Sequence, residues 1–222
     1  MEPKEYKVRV FSVNAADYGA AQKRHRVLIA GIRSDLPAEP FLPTPTHSED
    51  RLLWEQWVTS DYWRRHSVAV PAGPPSPQQE RTIARLIAAR KVPEATAWRT
   101  CRDAFDGLGE PHDLSPFANH RPQPGAKSYP GHTGSPLDEP AKALKAGAHG
   151  VPGGENMLLL PDGRVRYFSV REAARLQGMP DDYEFPGAWS ESMRQLGNAV
   201  PSQLAEVFGR MMAECLGRGG ER

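Results

Sequence analysis

The sequence predicts an α/β protein of short elements joined by long connections, and three observations predict it. Period-two alternation near the N-terminus gives strands, and helical periodicity with cap signals near the C-terminus gives helices. Between them the 22 Pro and 20 Gly of this 222-residue chain exceed ordinary usage and fill the middle with irregular backbone. At 39% hydrophobic content the chain can bury a modest core, as one large or two small domains.

The first segment, YKVRVFSVNAADYGAAQKRHRVLIAGIR, alternates at Val8, Val10 and Phe11 to Val13, breaks at Asp17-Tyr18-Gly19 and resumes as RVLIAGI. Two strands and a connecting loop are expected. The near-continuous apolar run Val27 to Ile32 predicts a strand buried on both faces, which a free-standing hairpin cannot supply, so another surface must cover it. Beyond Ser34 the Pro-rich connectors PAEPFLPTPTHSED and PAGPPSP flank WEQWVTSDYWRRH, where Trp54, Trp57, Tyr62 and Trp63 are expected to anchor on a core. QQERTIARLIAARK sets Ile83, Leu86 and Ile87 on one helical stripe and Arg81 and Arg85 on another, an amphipathic helix. Residues 93–163 read as a loop-rich unit with a hairpin at Pro161-Asp162-Gly163, because Asp-Gly adopts the positive dihedrals of a tight turn. Ser169 with Glu172 matches a capping box, predicting a helix from Val170 to Gln177 that stops at Gly178. A last helix opens at Pro201 and buries Leu204, Val207, Phe208, Met211 and Cys215 at helical spacing.

The net charge of +1 argues against a strongly basic nucleic-acid binder, but the average hides segregation. Residues 1–33 hold seven Lys/Arg against three acids and residues 64–102 hold eight against two; taken alone, the second stretch reads as a solvated face. No apolar run approaches a membrane span and the charged start MEPKEYKVRV has no signal-peptide core, so a cytoplasmic protein is expected, with no membrane partner. Cys101 and Cys215 form no C-x-x-C, and none of the seven histidines pairs at metal-ligand spacing; no metal is proposed.

Gln22, Arg24 and Arg26 alternate, so on one extended strand they project from one face and suit an anionic or carbonyl-rich ligand. By itself Q-x-R-x-R reads first as an exposed strand face. Its surroundings, NAADYGAAQKRHRVLIAGIR, resemble the eighth conserved motif of the DNA cytosine-C5 methyltransferases, N-x-x-D-Y-G-x-x-Q-x-R-x-R. The resemblance implies that Arg26 contacts the flipped-out target cytosine, with Gln22 and Arg24 supporting the pocket and nearby phosphates. Ala21 stands where the family commonly has Pro, a departure that bears on loop rigidity.

RYFSVREAARLQGMPDDYEF resembles the ninth motif of that family, which implies scaffolding roles for Arg171, Glu172 and Arg175. QLGNAVPSQLAEVFG resembles the tenth, implicating Asn198, Ala199 and Val200 in the wall of an S-adenosyl-L-methionine pocket. Between the eighth and ninth motifs, WRTCRDAFDGL and GSPLDEPAKALKAGAHGVPGGENML are similar to the variable recognition region. Base-reading side chains are therefore expected in 93–163, with Asn119, His120, Arg121, Lys127, His132 and His149 as unranked candidates. Thr44 to His47 match a family-like P-x-P-T-H-S string, read as surface loop. Cys101 has Arg99 and Arg102 nearby but lacks the Pro-Cys-Gln context of the family nucleophile and is read as structural.

Neither Pro-Cys-Gln nor the Phe-x-Gly-x-Gly turn of the donor pocket occurs in the sequence. The resemblance thus implies the back half of a methyltransferase. Its expected parts are an edge strand pair of a Rossmann-like catalytic domain (1–33), a Pro-rich connector and helix (34–92), a small mixed target-recognition domain (93–198) and a helix returning to the catalytic domain (199–222). Some members of the family are divided into two chains before the eighth motif, and a start at Met1 fits such a division. The expected partners are duplex DNA and an N-terminal chain carrying the Pro-Cys-Gln loop; a non-catalytic DNA-binding remnant is the alternative.

Overall fold

The computed structural model describes residues 5–146 and 154–217. In chain order its strands are β1 (Tyr6–Asn14), β2 (Gln22–Lys23), β3 (His25–Arg33), β4 (His47–Ser48), β5 (Thr96–Ala97), β6 (Ser135–Pro136), β7 (Ala141–Lys142), β8 (Met157–Leu159) and β9 (Val165–Tyr167). The helices are α1 (Glu49–Trp57), α2 (Asp61–Arg65), α3 (Pro77–Ala89), α4 (Cys101–Ala104), α5 (Val170–Leu176), α6 (Trp189–Asn198) and α7 (Ser202–Gly217). The sheets are small: β1 pairs antiparallel with β3 in the register Val13↔Arg26 and Phe11↔Leu28, and β6, β8 and β9 form a three-stranded sheet. The described helices include none long and apolar enough to cross a membrane.

The N-terminal strands form as their alternation predicts, but the run from Val27 to Ile32 is not buried on both faces. Phe11, Val13, Leu28 and Ile32 lie on the face covered by α7, against Leu204, Phe208 and Met211. The opposite face carries Tyr6, Val8, Val10, Val27 and Ile29, all more than half exposed. Period two decides the matter: one helix can cover only one side of a twisted strand pair, and among the described residues the apolar side chains on the other side stay exposed.

The helix signals near the C-terminus hold. Ser169 and Glu172 close the capping box that starts α5, and Gly178 ends it with φ +73° and no room for a Cβ beside Ser202 and Gln203. Leu204, Met211 and Cys215 of α7 are buried, with Val207 and Phe208 partly so. The hairpin turn at Asp162-Gly163 joins β8 to β9, with Gly163 at φ +84°. In α3, Leu86 is buried, Ile83 half-buried and Ile87 exposed, so the predicted stripe is narrower than its spacing suggests. Tyr62 and Trp63 anchor a core with Leu52, Ala97 and Trp98, whereas Trp54 and Trp57 are only half-buried.

The structure adds α1, α2, α4 and α6, which the sequence pattern does not announce. The last starts at Ala188 with no side-chain cap bond, which removes the usual starting signal. The string at Thr44 to His47 is more than surface loop, since His47 begins β4, which pairs with β5, and Ser48 caps α1. Much of the basic stretch 64–102 forms ion pairs: Arg65 with Glu55 and Asp103, Arg85 with Asp50, Lys91 with Glu94, and Arg102 with Asp138. The reading as a solvated face holds for Arg85 and Lys91, whereas Arg102 is only 22% exposed and pairs with Asp138.

Candidate functional site

The loop between β1 and β2 is built by its own residues. Asn14 Oδ1 accepts the backbone N–H groups of Ala16 and Arg24, tying the two ends of the loop together. Asp17 Oδ1 accepts from the Trp98 indole at 2.9 Å, and the Tyr18 hydroxyl donates to the Pro43 carbonyl at 2.9 Å. Gly19 sits at φ +91° against the His47 ring, where a Cβ would come within 2.9 Å of Cε1. The N-x-x-D-Y-G residues therefore fold the loop onto the α1–β5 layer. Desolvation raises the Asp17 pKa, with the Trp98 bond opposing it.

Beyond this loop the three alternating residues separate. Gln22 is fully buried and its amide donates to the Leu176 carbonyl at 2.8 Å and to Gln177 at 3.1 Å. Arg24, 2% exposed, donates from Nη1 to the Leu144 carbonyl at 3.0 Å and from Nη2 to the Gly197 carbonyl at 2.7 Å. Burial, and then the nearby Arg26 charge, lower its pKa to about 10, which leaves it protonated at neutral pH. Arg24 therefore does not reach phosphates; its guanidinium is spent on backbone carbonyls, which corrects that part of the expectation. Gln22 likewise supports from within. Arg26 alone is exposed, bonded through Nη1 to the carbonyl of His25, with no carboxylate partner among the described residues.

Gln177 and Arg24 also terminate α6. Its late carbonyls at Leu196 and Gly197 accept from the Gln177 amide and the Arg24 guanidinium, a buried side-chain cap with a positive charge at the negative helix end. Gly197 is obligatory, because a Cβ there would stand 2.5 Å from the Lys145 carbonyl carbon and closer still to the Ala146 nitrogen. Beyond that fixed point Asn198 and Val200 are exposed and Ala199 is half-buried. An exposed carboxamide beside an apolar side chain matches the polar edge and flat face of a nucleoside. The three residues fit one wall of an S-adenosyl-L-methionine site, and no more than one wall.

The six base-reading candidates are no longer equivalent. Asn119, at φ +63°, exchanges two hydrogen bonds with the Phe185 backbone. His120 is fully buried between the Ser169 hydroxyl (2.9 Å) and the Gly109 carbonyl (3.2 Å). Both are scaffold, a correction that follows from their side-chain polar atoms being engaged within the chain, at a half-buried Asn119 and a fully buried His120. Arg121 and Lys127 are exposed, and His132 is half-buried and stacked on Tyr129. His149 lies outside the described residues. Cys101 is fully buried, and burial with three neighbouring carboxylates pushes its thiol pKa well up, the opposite of an activated nucleophile. Arg171, Glu172 and Arg175 are scaffold as expected. Arg171 donates to the carbonyls of Ala118, Pro180 and Tyr183, Glu172 pairs with Arg166, and Arg175 pairs with Asp181.

In this α/β chain a buried Gln and a buried Arg thus precede an exposed arginine at the start of β3. Residues 1–214 match the C-5 cytosine-specific DNA methylases, and the chain belongs to that family. It is 30% identical over 200 residues to the type II methyltransferase M.NgoFVII of Neisseria gonorrhoeae, covering 89% of this chain and 47% of that protein. It is 27% identical over 213 residues to the type II methyltransferase M.AplI of Arthrospira platensis, covering 95% of this chain and 48% of that protein. The chain thus spans about half the length of the curated relatives it matches. The structure of the Entamoeba histolytica methyltransferase EhMeth aligns with a TM-score of 0.43 at 13% identity, over 93% of this chain and 54% of that one.

Proposed function

We propose that this chain is the C-terminal, DNA-recognising part of a DNA cytosine-C5 methyltransferase, acting on cytosine in duplex DNA together with a separate chain that carries the Pro-Cys-Gln loop. The observation that supports this reading is the contrast along Q-x-R-x-R: Gln22 and Arg24 are locked into the frame, while Arg26 is exposed, bonded only to the neighbouring His25 carbonyl among the described residues and without a carboxylate partner there. A planar fork of N–H donors held at a fixed strand end suits the carbonyl edge of an extruded pyrimidine.

In this reading the target base leaves the duplex stack, Arg26 holds it, and a cysteine from the companion adds to the ring; C5 takes up the methyl group, then gives up its proton as the cysteine is eliminated. Asn198, Ala199 and Val200 contribute a wall to the donor site. S-adenosyl-L-methionine, when bound, supplies the electrophilic methyl group. This chain's own work is to orient the base and to keep the wall rigid through the Arg24 to Gly197 bond. Its two edge strands and α7 complete a Rossmann-like catalytic domain whose remainder lies in the companion, and the loop-rich part recognises DNA.

The test is transfer of labelled methyl groups to duplex DNA. The isolated chain is expected to transfer none, and a mixture with a companion polypeptide carrying the Pro-Cys-Gln loop is expected to be active. Methylation by this chain alone would refute the division of labour. DNA binding with no activity in the presence of any such companion would favour a non-catalytic remnant.

A further inference from the structure

We propose that the stacked pair Tyr129 and His132, at the tip of the loop preceding β6, is the element of this chain that reads base edges in duplex DNA; the inference rests on the DNA-recognising role proposed above. The tip is a turn, Tyr129-Pro130-Gly131-His132, closed by two backbone bonds between its end residues, of 2.8 and 3.4 Å. Gly131 supplies the positive φ of +86° that the turn demands. The phenol and imidazole rings stack with centroids 4.2 Å apart and planes 34° from parallel, and Tyr129 remains 50% exposed.

The base of this loop is held firmly. Gly134, at φ +77°, packs so closely on β8 that a Cβ would stand 3.1 Å from the Leu159 nitrogen. Ser135 is fully buried, and its hydroxyl accepts the Lys142 N–H at 3.0 Å. Lys142 reaches back along the loop to the Thr133 hydroxyl at 3.3 Å. The strand β7 that carries Lys142 pairs in parallel with β2, Gln22 opposite Ala141 and Lys23 opposite Lys142. The base of the tip and the strand preceding Arg26 are thus linked through β7, by the Ser135 to Lys142 bond on one side and the β2 pairing on the other.

The charge pattern suits a polyanion. No Asp or Glu occurs between Asp113 and Asp138, while Arg121 and Lys127 lie in that span and are exposed. Glu155 is near enough for the His132 charge to act on it, but its carboxylate is held by Lys145 at 2.6 Å. Exposed cations such as Arg121 and Lys127 can contact phosphates, which fix position without reading sequence, or guanine edges. Base readout needs a preorganised group that offers both a flat apolar face and hydrogen-bonding atoms. In the backbone-closed turn Tyr129, half exposed and stacked on the half-buried His132 ring, meets that requirement with its flat phenol and its hydroxyl.

The test is selection by the purified chain from a randomised DNA duplex library, followed by titration of the selected and random duplexes across a range of salt concentrations. Wild type is expected to enrich a sequence. The double variant Tyr129→Ala, His132→Ala is expected to lose about tenfold or more of that preference while its affinity for random duplex changes less than about threefold. Lys127→Ala is expected to weaken all sequences alike and to reduce the salt slope by about one. A preference that survives in the double variant, or a wild type that binds duplex without any preference, overturns the proposal. Failure to bind duplex at all, or binding confined to RNA, instead removes the DNA-recognising reading beneath it. Unchanged circular dichroism and melting temperature of the variants confirm that only the tip was altered.

Discussion

Single residues in this chain divide by whether their polar atoms are consumed internally. Arg24 and Arg26 stand two positions apart with the same side chain, yet one caps a helix and the other faces outward. Under the function proposed above, Arg26→Ala is expected to abolish methyl transfer by the chain mixed with a companion carrying the Pro-Cys-Gln loop, while leaving binding of that companion and melting temperature nearly unchanged; unaltered turnover would remove Arg26 from the proposed base site. Ser169→Ala should cost about 1–3 kcal/mol of stability in denaturant titration, because it removes the α5 cap and leaves His120 without its hydroxyl partner. Burial lowers the pKa of both His120 and His47, with Arg99 adding to the effect at His47. The unfolded chain then binds more protons than the folded one below the ordinary value of 6.5. Stability is complete above that value and is lost as pH falls from it toward the lower folded values. Denaturation midpoints near about pH 8 and about pH 5.5 should show the loss, and a His120→Gln variant should show less of it.

At the level of elements, the junction of α6 and α7 shows how the site is braced. Gly197→Ala drives a methyl group into the backbone of Lys145 and Ala146, and a destabilisation of about 1–3 kcal/mol or more is expected, readable as a lower melting temperature. The elements legible in the sequence were those with local signals: the α5 capping box, the Asp-Gly turn, and the apolar spacing of α7. The helix α6 was not legible, because its N-cap is a side chain that makes no bond and its C-terminal carbonyls are satisfied by Gln177 and Arg24, far away in sequence. Asn119 and His120 look like available hydrogen-bonding groups in a polar tract, and only their partners at Phe185, Ser169 and Gly109 mark them as scaffold.

On the scale of the whole molecule, the β1 and β3 pair is a half-finished layer. The helix α7 covers one face, and Tyr6, Val8, Val10, Val27 and Ile29 remain exposed on the other. Contiguous apolar surface of this kind promotes association. Replacing Val10 and Ile29 together with Thr is expected to reduce concentration-dependent self-association in sedimentation experiments and to leave the circular dichroism spectrum unchanged. Periodicity, cap residues and motif strings determined the N-terminal strand pair, the Asp-Gly hairpin, the helices α3, α5 and α7, and the resemblance to the family, because those signals act over a few neighbouring residues. Only the tertiary structure decided which of Gln22, Arg24 and Arg26 remains free, which polar residues of the loop-rich region face outward, and which face of the strand pair is bare. Those outcomes depend on burial and on hydrogen-bond partners that are distant along the chain, and no local pattern carries that information.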